Sequence, residues 1–216
     1  DSFARNLQAA LDTPADMPAA DAAARRLLEA TQKYLPNWKA LNDYNRAKKH
    51  EDDGGAEGKR MLPMYVEGIE RIEGALQQFS TAVDGVAKES NARAMAEYKA
   101  KGKLLELYRS QALTAARAVA DTFGSAADFK NPAKIEYANA QLAEMEARLA
   151  DMAAEHARRK AESPKSLPMM DRHDSIQSNL TAFAGHYREA RKNPRRFNDA
   201  INNFNDAINA SNMMGR

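Results

Sequence analysis

The side chains best suited to acid–base or metal chemistry in this sequence are its four histidines, since it contains no cysteine. A di-iron site in a helical bundle uses a glutamate three residues before a histidine, and a helical zinc hydrolase uses His-Glu-x-x-His. Neither pattern occurs around any of the four. The spacing therefore predicts no catalytic residue, no metal site and no cofactor, in a protein that is not an enzyme. The histidines are His50, His156, His173 and His186.

Two of these histidines can each be interpreted in two ways. His50 precedes acidic residues at 51–53, which are either solvated loop charges, the interpretation we favour, or weak ligands of a hard cation. His156 lies on the apolar stripe of a predicted helix. A single imidazole at such a position is more often a packed core residue than a ligand, so we favour the core interpretation.

Three aromatic–asparagine pairs form a candidate surface for a ligand or partner. The last predicted helix contains a seven-residue repeat, 197–203 followed by 204–210, which places two of the pairs on one face. Asparagine is a poor helix former, so something must compensate for its frequency here. The amides either cap or bridge neighbouring helices, which we favour, or line a cleft for a polar ligand between the first and last helices. The pairs are Tyr44-Asn45, Phe197-Asn198 and Phe204-Asn205.

A candidate basic patch surrounds Pro194. Residues 156–216 hold 11 basic and 6 acidic groups, a net charge of +5, in a chain that is otherwise nearly balanced. Cations near a helix C-terminus interact well with its dipole, and this is the favoured explanation. The alternative is contact with the phosphates of lipid headgroups or nucleic acid. The patch comprises Arg188, Arg191, Lys192, Arg195 and Arg196.

Composition and periodicity indicate the elements that must position these residues. Alanine makes up about a fifth of the 216 residues, β-branched residues are few, and apolar residues recur in alternating steps of three and four. These features predict an all-α fold: an elongated antiparallel up-and-down bundle of about five to six long helices, the longest about 30 residues. We expect a tether over residues 1–18, which include a segment with two prolines, and a single bundle domain over 19–216.

Breaks between the helices are predicted from proline, glycine and capping residues. Pro36 predicts a kink or a break, and glycines and acids predict a loop over 51–58. One helix is expected to run from Met95 to Phe123, and Asn131 is expected to cap another that begins at Pro132. A further loop is expected at 163–168.

The first predicted helix and the last one carry a family resemblance. Residues 33–45 read KYLPNWKALNDYN, ending in an aromatic–asparagine pair that matches those of the last helix. With the alanine-rich helices between them, these motifs resemble the YiiG-like family of bacterial lipoproteins over about 22–214. The resemblance implies an exported helical domain in the bacterial periplasm, anchored by a lipidated cysteine upstream of Asp1. It implies no reaction, substrate or catalytic residue.

Together these observations predict a cell-envelope protein that is a scaffold or binds a macromolecule. The partner would be an unknown protein or envelope component, with membrane contact only through the lipid anchor and without nucleic acid. The alternative is a helical bundle that binds a small ligand in an amide- and aromatic-lined cleft.

Overall fold

The computed structural model describes residues 2–13, 16–162 and 170–214. These residues form eight α-helices, two short 3₁₀ helices and no strand, so the all-α prediction is confirmed. No helix among them is both long and apolar enough to cross a bilayer. The α-helices are α1 (Ser2–Leu11), α2 (Pro18–Arg46), α3 (His50–Asp53), α4 (Ala56–Ala100), α5 (Leu104–Thr122), α6 (Pro132–Glu162), α7 (Met170–Ala190) and α8 (Phe197–Asn212). The 3₁₀ helices are Ala126–Lys130 and Pro194–Arg196.

The described chain has more helices than the five to six predicted because α1 lies in the expected tether and α3 overlaps the expected loop over 51–58. Helix α4 is 45 residues long and ends where Gly102 adopts a left-handed φ of +64°. The helix predicted from Met95 to Phe123 is therefore wrong: it is divided between α4 and α5. The loop predicted over 51–58 is also wrong, because Gly54 and Gly55, at φ +60° and +85°, make the turn alone.

Proline and asparagine have the expected effects only in part. Helix α2 continues through Pro36 without a break. The predicted start of α6 is confirmed: Asn131 Oδ1 accepts hydrogen bonds from the backbone N–H of Ala133 (3.0 Å) and Lys134 (3.3 Å). The loop predicted at 163–168 lies outside the described residues.

The chain divides into two compact units, Asp1–Ser90 (unit 1) and Asn91–Arg216 (unit 2). Ten of the residues expected to form a tether are helix α1, and its Leu7 is buried against α2. An amphipathic pattern over these ten residues explains the helix. Compact units need not fold independently, so the single domain over 19–216 stays a prediction.

The core of unit 1 is small. Leu7, Leu27 and Leu28 are buried together, and Ile72 and Phe79 of α4 pack against them. Three of the buried residues of α2 are alanines, and only Met61 and Gly68 of α4 are buried, so little apolar area is buried per turn.

The core of unit 2 is larger and combines α5, α6, α7 and α8. Met145, Val119 and Phe183 are completely buried. Phe123 stacks on Phe129 with ring centroids 4.0 Å apart, and Phe197 meets both rings edge-on. Offset stacks and edge-on contacts of this kind stabilise a core beyond the area that they bury.

Candidate functional site

Polar tips of aromatic and amide side chains join α2 to α4 in unit 1. The hydroxyl of Tyr34 donates a hydrogen bond to Glu67 (2.6 Å). The indole N–H of Trp38 donates to the carbonyl of Tyr65 (3.4 Å). The amide of Asn37 donates to the carbonyl of Met61 (3.3 Å). The part of α2 that carries the family resemblance, residues 33–45, is therefore also the part whose side chains form hydrogen bonds to α4.

Two glycines of α4 leave room for these rings. A Cβ at Gly68 would lie 2.9 Å from Tyr34 Cβ and 3.0 Å from Trp38 Nε1. A Cβ at Gly58 would lie 2.9 Å from the Tyr44 ring. Gly68 therefore permits a close approach of the two helices, whereas Gly74 and Gly85 face open space.

Tyr44, a predicted site residue, lies near the end of α2, just before the chain turns towards α4. Its ring is buried, and its hydroxyl donates to Asp53 (2.6 Å), which also accepts from the backbone N–H of Gly55 (2.8 Å) and Glu57 (3.1 Å). The Tyr44 hydrogen bond is the main cause of a lowered pKa for Asp53, and burial raises the pKa of Tyr44. Asn45, the other member of the pair, is exposed.

A groove of about 480 Å³ lies beside Tyr44. Ala40, Ala47 and Met61 supply apolar lining, and charged side chains stand around them. The charged lining residues are Asp43, Arg46, Lys49 and Glu57. An open groove of this composition can hold a small amphipathic molecule.

Helix α4 carries two parallel apolar rows in unit 1. The row that meets α2 runs through Met61, Tyr65, Gly68, Ile72, Ala75 and Phe79. A second row, which we name the second seam, is offset by one residue, about 100° around the helix. Its residues are Leu62, Val66, Ile69, Glu73, Leu76, Ser80 and Val83.

The second seam is largely uncovered. Leu62, Val66, Leu76 and Val83 are 42–49% exposed, and Ile69 is half-buried. Steps of three and four residues place Ile69, Leu76 and Val83 in the same periodic pattern as Tyr65 and Phe79. The structure separates them, since only the row through Tyr65 and Phe79 meets α2.

The predicted site residues of α8 divide between core and surface in unit 2. Phe197 and Phe204 are buried, whereas Asn198 and Asn205 are exposed. Ala200 and Ala207 complete the buried face, and the isoleucines of the repeat lie half-buried beside it. Tyr44 and Asn45 belong to unit 1, so the proposed cleft between the first and last helices stays a prediction.

Two histidines meet in a buried polar cluster of unit 2. The rings of His156 on α6 and His173 on α7 have centroids 6.3 Å apart. His156 Nδ1 lies 3.2 Å from Asp174, and Arg159 lies 3.5 Å from Glu106 of α5. Among the described residues, His173 Nδ1, His156 Nε2 and Arg109 Nε are buried without a hydrogen-bond partner.

The cluster holds His173 in its neutral form. Only 5% of the surface of this residue is exposed. Burial, followed by the positive charge of Arg109, lowers the pKa of His173 to about 4. Within the described residues, no group of three histidine, aspartate or glutamate side chains is arranged to hold a metal ion.

The basic patch is partly neutralised by neighbouring acids. Arg188 pairs with Glu146 of α6 (2.8 Å), and Arg196 pairs with Glu189 and Asp199 (3.3 and 3.1 Å). The guanidinium of Arg191 lies 5.7 Å from the Tyr187 ring centroid. Among the described residues, Arg191, Lys192 and Arg195 have no ion pair, so three of the five cations of the patch remain without a counter-charge.

One protein family matches nearly the whole chain. Residues 2–213 match the model of a family described as "Protein of unknown function (DUF3829)". The chain belongs to the DUF3829 family. No curated protein and no solved structure has significant similarity to it. The DUF3829 match carries neither the YiiG-like name nor lipoprotein status, which remain expectations from the resemblance.

Sequence reasoning missed two features of this DUF3829 chain. The second seam was hidden because its residues and those that meet α2 are one position apart, and both sets contain apolar residues at heptad spacing. The histidine cluster was missed because His156 and His173 lie on different helices. A buried polar residue on each of two adjacent helices was the available signal.

Proposed function

We propose that this chain acts by binding another protein, as a non-enzymatic scaffold or adaptor domain. The observation that carries the proposal is the second seam of α4, where four aliphatic side chains remain nearly half exposed. Apolar residues grouped on a surface in this way are typical of interaction sites. The elongated antiparallel arrangement of the helices is part of the proposal.

The location of this activity is a second element of the proposal. On the resemblance of residues 33–45 and α8, we place the chain in the bacterial periplasm, tethered by an upstream lipid anchor. The partner would then be a protein or another component of the envelope, and nucleic acid would not be bound.

Site-specific photocrosslinking in cells tests the binding proposal. A photoreactive residue at Leu76 or Val83 is expected to give one discrete adduct. The matched control is Thr81, which is exposed and lies about 140° around α4 from Leu76. The crosslinked protein, identified and purified, is expected to bind the wild-type chain and to lose binding to a folded Leu76→Glu variant. No adduct at the seam, or equal adducts at Thr81, would refute the proposal.

A small-ligand function is the second candidate, supported by the groove beside Tyr44. Native mass spectrometry of the purified chain is expected to show an extra mass that disappears on denaturation. Because Ala40 lines the groove, Ala40→Trp should fill it and remove the extra mass. A bare mass for the wild-type chain purified from cells would count against this candidate.

A further inference from the structure

Glu73 interrupts the second seam near its middle. Leu62, Val66 and Ile69 precede it, and Leu76 and Val83 follow it at the same heptad spacing. Its side chain is exposed, and among the described residues its carboxylate has no hydrogen bond and no ion pair. A protein that covers the seam must therefore cover a free carboxylate.

Among the described residues, no cation lies within ion-pair distance of Glu73. Glu70, one turn earlier, is also exposed and unpaired among the described residues. The nearest cation along the helix, Arg71, lies on the other side and is 3.9 Å from Glu67. An uncompensated carboxylate under an apolar partner is strongly unfavourable, so the partner must bring the cation.

We infer that the partner presents an amphipathic helix with an apolar stripe and one lysine or arginine at the level of Glu73. This inference rests on the proposed binding function. The alternating three- and four-residue steps of the seam match the side-chain rows of a helix packed along it. The basic residue would fix the register of the two helices, as a single polar seam position does in coiled coils.

A second copy of the chain fits this surface poorly. A two-fold pairing along the whole seam has its centre between Leu62 and Val83, beside Glu73. The two Glu73 carboxylates would then face each other, and like charges at a covered interface oppose association. The acidic residue thus selects for a different, basic partner.

Sedimentation of the purified chain tests the selection against self-pairing. The wild-type chain is expected to be monomeric, and Glu73→Leu is expected to form a dimer because it completes the apolar seam. Glu89→Leu is the control, since Glu89 is exposed and lies off the seam. A wild-type dimer that Leu76→Glu dissociates would overturn the inference in favour of a second copy, as would a monomeric Glu73→Leu.

Charge reversal on the crosslinked partner tests the basic residue. Glu73→Lys is expected to weaken binding at least about tenfold, and the reciprocal reversal of one partner lysine or arginine should restore it. If Glu73→Lys binds as tightly as wild type, the inference fails while the binding function stands. If seam positions give no adduct, both fail.

Discussion

Leu76 and Val83 on α4 of unit 1 have nearly half of their surface exposed, whereas Val119 and Phe183 of unit 2 are completely buried. Unit 2 is held by a continuous apolar core from four helices. Unit 1 is held by a few leucines and by aromatic side chains whose polar tips bond to a neighbouring helix. The two units of one chain therefore use their apolar residues differently. Those of unit 2 stabilise its own core, whereas some of those of unit 1 lie on a surface.

The largest expected effect comes from truncating the core of unit 2. Phe183→Ala removes a fully buried ring and should lower the free energy of unfolding by about 3–5 kcal/mol. Phe79→Ala, at a half-buried ring of unit 1, should cost only about 1–2 kcal/mol. Urea denaturation of both variants measures the two values. Equal losses would contradict the difference between the units.

A smaller effect is expected where α2 and α4 approach each other. Gly68→Ala places a Cβ against Tyr34 Cβ, which is held close to the backbone, and should destabilise by about 1–2 kcal/mol. Gly74→Ala faces open space and should stabilise by about 0.5–1 kcal/mol through helix propensity. Melting temperatures of the two variants test the contrast. Stabilisation by both would mean that the helices separate at little cost.

The pH dependence of unit 2 should come partly from His173. Its pKa is lowered to about 4 from an ordinary 6.5, so the unfolded chain binds the proton more readily. The contribution is complete above pH 6.5 and is lost as the pH falls towards 4. With allowance for solvent screening, the loss should be about 1–2 kcal/mol.

Charged and titratable neighbours set the control for this experiment. His173 is faced by Glu106 and Arg109 of α5, and by His156 and Arg159 of α6, with Asp174 on its own helix. His173→Phe should flatten the dependence of the unfolding free energy between pH 6.5 and 4. A variant that keeps the wild-type slope would show that His173 is not the source of the dependence.

The smallest effect is expected at the amides of α8. Asn198→Ala and Asn205→Ala replace exposed residues with a better helix former, and should change stability by no more than about 0.5 kcal/mol each, as stabilisation. Thermal unfolding measures this. A clear loss of stability would show that the amides bridge helices, which is the interpretation that the sequence favoured.

Heptad spacing predicted the fold class and most buried positions of unit 2 correctly. Steps of three and four residues along α6 select Leu142, Met145 and Leu149, for example, and all three are buried. The same spacing misled in α4, where Tyr65 and Leu76 share a periodicity but not a partner. Periodicity identifies a face of a helix, whereas the number of neighbours available to cover it depends on the rest of the chain.

Chain breaks and site residues were predicted less well, for local reasons. The turn at Gly102 depends on one left-handed residue, and no flanking proline indicates it. Of the predicted site residues, Tyr44, Phe197 and Phe204 are buried, because an aromatic ring at a seam position packs whether or not an amide follows it.

The duplicated heptad of α8 has a consequence for folding. Both copies present a phenylalanine and an alanine to the same face, so a shift by two turns, about 10.5 Å, brings equivalent side chains to equivalent places. The repeat thus allows a second register in which one of the two phenylalanine positions is filled again and the other is left without a ring. The native one is selected by unequal surroundings: Phe197 enters the stack of Phe123 and Phe129, and Phe204 lies against Phe183. A slipped α8 is therefore the kinetic trap to expect when unit 2 refolds.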